Sequence, residues 1–413
     1  QTLITLAGLG TIVAVLGVCV FLVWVVVPLF MPAQISEGKA ITLAAAAENE
    51  IVAQGLDENS LLTWTLDRQG LLRVWQISDG SLLSQQRLVE DAVITSIAQA
   101  DAGDTWMIGL STGQVLPGQL RLVSRMQDIA SLPEQYSELS VGQTGQWSHQ
   151  QNTALVQRVD RDHFRIVEMQ AQLNEPVQIS SDQAIELLDF TQAGQTTILA
   201  AMTSQSQLLL EHITVRRNIL TGQQTRNVQR WPMAFDDAHL GQPAWLLVSG
   251  QGDSLYLAWR DGTLHRYDIR NPQQPSLMEE VDLVPESGRQ LASIIMLLGR
   301  NTLIAGDTLG RVRAWFQTRS ADAQTQDGIT LTLAHELTQM DASVVSLDRS
   351  MRSRIIAAVS ASGQVQLMHV TSGKKLADVR AKDAIPQAVS RVILTDRDDA
   401  MLIRTDDSLT FHG

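Results

Sequence analysis

The stretch RIIAAVSASGQVQLMHVTSGKKLADV, Arg354 to Val379, decides the fold. Ile355–Val359 is a short run of branched and small apolar residues, Gln364–Val370 alternates polar with apolar, and Leu376–Val379 makes a third run. Runs of this length, one of them with a period of two, read as β-strands. Ser360-Ala361-Ser362-Gly363 and Thr371-Ser372-Gly373 separate them as tight turns, and both glycines suit positions that need positive φ. The unit is therefore an antiparallel meander.

The same grammar recurs along the chain. Leu61–Leu83 reads LLTWTLDRQGLLRVWQISDGSLL, with Gly70 and Gly80 in the turns and Trp75 in the middle run. Leu255–Ile269 turns at Asp261-Gly262, Thr302–Gln317 turns at Gly310, and Trp106–Leu120 is a poorer copy around Gly113. Weaker copies cover Ala154–Met169, with His163 where the turn glycine belongs, Thr197–Thr214, and a truncated Ala400–Gly413. Between Gly70, Gly113, His163, Gln207, Gly262, Gly310, Gly363 and Asp407 the steps are 43, 50, 44, 55, 48, 53 and 44 residues. Propeller blades repeat at roughly 40–50 residues, and a small twisted sheet that cannot bury both faces alone does so by closing into a ring. The expected fold is all-β: a seven- or eight-bladed WD40-like propeller over residues 41–413. Ala334-His335, ahead of Met368-His369, echoes the dipeptide that opens a WD40 repeat, and His335-Glu336 reads as a blade-opening turn. Ile41–Ala47 lacks a partner and the last blade is truncated, so the two ends are expected to meet in one composite blade. A pair of β-sandwiches fits the long regular period less well.

Ahead of this domain, Leu3–Phe30 carries no charge, and the first ionisable side chain after it is Glu37. About 20 apolar residues span a bilayer, so residues 1–32 read as one transmembrane helix and 33–40 as a linker. A secretory signal has a shorter apolar region and a small-residue cleavage site, which this run lacks. Gly8-Leu9-Gly10 is not a dinucleotide fingerprint, since no strand precedes it and no acidic residue follows at the required distance. Ala7, Gly10, Ala14 and Gly17 recur at steps of three and four and form a small-residue face on which a second helix can pack.

With 413 residues, 44% of them apolar and 18% charged, the chain can bury a large core. Its net charge of −13 lies wholly beyond the apolar run and disfavours nucleic acid as a partner. The one cysteine, Cys19, is inside that run, leaving the rest without a thiol for disulfide or zinc. The eight histidines show no paired metal-ligand spacing, and neither a phosphate loop nor a nucleophile elbow is present. No catalytic residue, cofactor or metal site is expected. Trp64, Trp75, Trp106, Trp259 and Trp315 read as inter-blade packing rather than a stacking platform. Arg216, Arg217, Arg226 and Arg230 read as strand-edge or inter-blade charges, and Asp236-Asp237 and Asp396-Arg397-Asp398-Asp399 as turns. The chain begins at Gln1 without methionine and ends in mid-strand, which reads as a fragment.

One apolar helix ending Val25–Phe30, followed at once by a degenerate propeller, resembles the N-terminal part of the enlarged permease protein of bacterial phosphate ABC transporters. Leu71–Gln76, Thr302–Gln317 and Ala334–Glu336 carry the propeller side of the likeness. The resemblance implies a WD40-like insertion after the first membrane helix, on the extracytoplasmic side of the bacterial inner membrane. Its implied partners are the remaining permease helices, the partner permease subunit and the solute-binding protein. The permease core itself is missing from these residues. A single-span propeller scaffold for envelope assembly and a quinoprotein-like propeller enzyme are the alternatives.

Overall fold

The computed structural model describes residues 2–26, 39–42, 50–101, 104–149, 152–217, 224–235, 241–319, 325–380, 389–395, 397–405 and 408–412. It divides into two compact units, Gln1–Ser36 and Glu37–Gly413.

In the first unit, Thr2–Val26 forms one α-helix, α1, of 25 residues without an acidic or basic residue in its end turns. Val13, Phe21, Leu22 and Trp24 are exposed within it, and a Cβ at Gly10 or Gly17 would meet nothing within 4 Å. Ala14 is exposed, and the side chain of Ala7 lies outside the described residues. Side chains are described only for Gly10 and residues 13–25 of α1, a stretch shorter than a full span. Over the described residues no helix is long and apolar enough to cross a membrane. The membrane reading of α1 therefore rests on its sequence. Pro28, Phe30 and Pro32 lie outside the described residues.

The second unit is a β-propeller built from antiparallel meanders, numbered as sheets 1 to 7 along the chain. Sheet 1 has strands Ile51–Leu56, Leu62–Asp67, Leu71–Gln76 and Leu82–Arg87. Sheet 3 covers Ile185–Ala193 to Gln224–Met233, sheet 4 Trp245–Val248 to Ser276–Asp282, and sheet 5 Leu291–Met296 to Ile329–Gln339. Sheet 6 contains the Arg354–Val379 meander, and its strands are Val344–Arg349, Ile355–Ser360, Gln364–His369 and Lys374–Arg380. The third run expected there starts two residues earlier, at Lys374, because Gly373, at φ 64°, completes the turn.

Sheet 7 is composite. Val389–Leu394, Met401–Thr405 and Ser408–His412 are completed by Lys39–Thr42, with Lys39 opposite Phe411 and Thr42 opposite Ser408. The two ends of the unit do meet in one blade, through a strand that begins at Lys39 rather than Ile41. Residues 43–47 of the expected strand lie outside the described residues.

Sheet 2 corrects the expected count of equivalent blades. Among the described residues six sheets are equivalent four-stranded blades, fewer than the seven or eight expected, and sheet 2 has seven strands, from Ile94–Gln99 to Val177–Gln178. Its third strand, Gln114–Asp128, runs on for 15 residues and pairs with His163–Leu173, which in turn pairs with Asn152–Arg158 and then Thr144–His149. The copy read around His163 is thus a hairpin mounted on sheet 2, not a blade. Leu132, Tyr136, Ala154, Val156, Phe164 and Ile166 form its own apolar cluster.

Burial follows position within each sheet. Second strands are enclosed almost throughout, as in Leu62–Asp67 and Ser254–Ala258, because neighbouring sheets cover both of their faces. Fourth strands such as Ser276–Asp282 lie at the rim and are mostly exposed. Apolar clusters fill the gaps between successive sheets: Leu66, Val74, Trp106 and Ile108 join sheets 1 and 2, and Ala200, Leu210, Leu246 and Leu257 join sheets 3 and 4. Each fully buried aliphatic side chain contributes about 1.5–3 kcal/mol.

Candidate functional site

The first strands of the sheets line the axis of the ring. They enclose a cavity of about 580 Å³ whose wall carries Glu50, Glu186, Arg300, Asp348, Arg349 and Arg391. Apolar first strands generate this wall because alternate side chains point into neighbouring sheets and the rest face the axis.

Two carboxylates occupy the same place in the repeat. Asp189 of sheet 3 accepts a hydrogen bond from the Val248 amide of sheet 4 at 2.7 Å, and Asp348 of sheet 6 accepts one from the Leu394 amide of sheet 7 at 2.7 Å. In both, a side chain on one first strand satisfies the amide at the end of the next, a clip between blades. Asp189 is further held by the Arg300 guanidinium, which also donates to the Val248 carbonyl at 2.8 Å. Burial pushes the Asp189 carboxyl up, against the opposing pull of Arg300. Asp348 has Arg391 and Arg349 only at longer range, so burial dominates and raises its pKa to about 6. Burial also lowers the pKa of the Arg391 guanidinium, which donates to the Val52 carbonyl of sheet 1 at 3.2 Å. The signal in the sequence is an acid interrupting an apolar strand, in Leu187-Leu188-Asp189-Phe190 and Val345-Ser346-Leu347-Asp348.

The turn glycines are brought to a different place. Gly70, Gly113, Gly262, Gly310 and Gly363 join second to third strands in sheets 1, 2, 4, 5 and 6, with φ between 77° and 105°. The connector from one sheet to the next docks against them: Gly70, Gly262 and Gly310 carbonyls accept from the Leu88, Leu283 and Met340 amides at 2.7–2.9 Å. At Gly310 a Cβ would stand 2.5 Å from the Ala342 carbonyl oxygen. These glycines hold the ring and lie off the axial cavity. A further signal accompanies some of them, a polar residue three positions earlier. Asp67 accepts from the Leu71 amide at 2.9 Å, Asp307 from Arg311 at 2.8 Å and Ser360 from Gln364 at 3.2 Å.

Trp64, Trp75, Trp106, Trp259 and Trp315 are all buried, and Trp64 meets Trp106 edge to face across sheets 1 and 2 with centroids 5.5 Å apart. Arg230 pairs with Glu211 and reaches the Gln178 carbonyl of sheet 2, an inter-blade role. Arg226 is exposed, and the side chains of Arg216 and Arg217 lie outside the described residues. His335-Glu336 is corrected: both residues lie within the rim strand Ile329–Gln339, His335 opposite Ala314, so they open no blade. Asp398, at φ 60°, and Asp399 form a turn closed by Thr395 and Ser350, while Asp236, Asp237, Asp396 and Asp407 lie outside the described residues. Among the described residues no group of three or more metal-ligating side chains comes together.

No protein-family model matches the chain. No curated protein matches it in sequence. Solved structures do match in shape. The β-propeller domain of Cps50 (Swd1) from Myceliophteria thermophila superposes with a TM-score of 0.54 at 11% identity, over 92% of this chain and 99% of that one. U3-55K superposes with a TM-score of 0.50 at 11% identity, with the same coverage. At such identity the likeness establishes the WD40-like β-propeller fold alone.

Proposed function

We propose that this chain is the membrane-anchored propeller of a bacterial inner-membrane phosphate permease, a non-enzymatic module that binds proteins on the extracytoplasmic side. The observation that carries this reading is the pairing of Lys39 with Phe411. The strand that enters the propeller and the strand that leaves it lie side by side, as a domain set into a loop between two membrane helices requires. The uncharged run Leu3–Phe30 of the sequence supports the anchor, since about 20 apolar residues suffice for a hydrocarbon core of about 30 Å. The net charge of −13 argues for a protein partner over nucleic acid. The remaining permease helices and the partner permease are the proposed neighbours of α1, and the solute-binding protein is the proposed contact of the propeller.

Two measurements test the reading. After alkaline carbonate washing of membranes, the full chain stays in the pellet and a chain lacking residues 1–36 is released; release of both refutes the anchor. In cells, deleting residues 39–412 from the intact transporter lowers recovery of the solute-binding protein with the complex and lowers phosphate uptake. Unchanged recovery and uptake refute the docking role.

A further inference from the structure

Asp101 makes a contact that the repeat does not explain. It follows the first strand of sheet 2, yet its carboxylate accepts from the Gly299 amide of sheet 5 at 2.9 Å and pairs with Arg349 of sheet 6 at 2.6 Å. Arg300 of sheet 5 stands 4.0 Å away. Sheets 5 and 6 do not flank sheet 2 in the ring, so this carboxylate crosses the axis at one end of the cavity, where Arg300 and Arg349 line the wall.

The groups that receive it form a cradle for an oxyanion. Arg349 is a guanidinium with little exposure, and Gly299, at φ 85°, turns its amide toward the same point. One backbone N–H hydrogen-bonds the Asp101 carboxylate and two guanidinium groups stand within 4.0 Å of it, a concentration of positive charge around an amide donor that suits carboxylate and sulfate groups. Arg300 is already neutralised by Asp189, whereas among the described residues Asp101 is the carboxylate within ion-pair distance of Arg349. The Asp101 side chain is about a quarter exposed (28%), while its Oδ1, the oxygen on Arg349, is buried.

We infer that Arg349, Arg300 and the Gly299 amide form a binding site for a small oxyanion, which the chain fills with its own Asp101 carboxylate. This inference is independent of the membrane reading, because every residue in it belongs to the propeller.

The test is chemical rescue in the full chain. Asp101→Ala empties the cradle, and its thermal midpoint falls by roughly 2–5 °C, since Arg349 and the Gly299 amide lose their partner. Sodium acetate or sodium sulfate then restores the midpoint, while sodium chloride at equal ionic strength does not. Arg349→Gln placed on Asp101→Ala abolishes the rescue. An unchanged midpoint in Asp101→Ala, rescue no better than chloride, or rescue that survives Arg349→Gln each overturns the inference. Where Asp101→Ala does not fold, Asp101→Asn, which keeps an acceptor for Gly299, takes its place: it melts below the wild type and gains more from sulfate than from chloride. Equal gains from the two salts overturn the inference there as well.

Discussion

Sheets 5 and 2 start from the same repeat and end differently. Sheet 5 stops at four strands, and its rim strand is locked to sheet 4 by Arg266, a fully buried guanidinium paired with Glu279 and with Asp327. In sheet 2 the third strand runs on past the blade and carries a hairpin with its own apolar cluster. Closing the ring and elaborating a blade are therefore separate tasks. The ring depends on contacts between neighbouring sheets, whereas the extension packs one face within itself and sets Leu155 and Val167 against sheet 1.

The largest test of this contrast falls on the ring. Arg266→Met leaves Glu279 and Asp327 without their cation, and urea denaturation is expected to show a loss of about 3–5 kcal/mol. A loss below about 1 kcal/mol would mean that the lock contributes little to the ring. In the extension, Phe164→Ala opens a cavity costing about 3 kcal/mol, but the effect is local. Hydrogen exchange should lose protection at residues 144–149 and 152–158 while the amides of sheet 5 keep theirs; loss in both regions joins the two tasks again.

Two glycines sharpen the same comparison. Gly310 in sheet 5 has φ 90° and Gly142 in the extension has φ 87°, so alanine meets the same backbone strain at both. At Gly310 the new Cβ also strikes the carbonyl oxygens of Ala342 and Met340, while at Gly142 it meets nothing within 4 Å. Gly310→Ala should cost about 2 kcal/mol and Gly142→Ala about 1 kcal/mol, read from denaturant midpoints. Equal losses would show that close packing of the connectors is not what the ring glycines serve.

The smallest effect concerns pH. Asp348 in the folded chain has its pKa raised from 3.8 to about 6, so the folded state holds this proton more tightly than the unfolded state. Its contribution to stability is full below about pH 4 and is lost as pH rises through about 6. Asp348→Asn should flatten the fall in stability over that window. Asp189, the equivalent carboxyl, keeps its arginine partner, and Asp189→Asn should do more harm, since Arg300 is left buried without its carboxylate.

The strands, the turn glycines and the meeting of the ends can be read from residue order, because alternation, turn chemistry and repeat spacing are local properties. The hairpin on sheet 2 reads as a blade for the same reason: Ala154–Met169 has the local grammar of a repeat, and only pairing to Gln114–Asp128 shows that it extends an existing sheet. The axial residues are not legible in this way. Asp101, Gly299, Arg300 and Arg349 are separated by up to 248 positions, and nothing in their neighbourhoods marks them as partners.

Residue order alone dictates an uncharged apolar helix followed by a propeller, since alternation and turn chemistry act within a few residues and each repeat carries its own instructions. The three-dimensional fold alone dictates which sheet is enlarged, in what register the first and last strands share a blade, and which carboxylate crosses the axis. Those depend on the closure of the ring, which brings distant positions together without leaving a mark on the residues beside them.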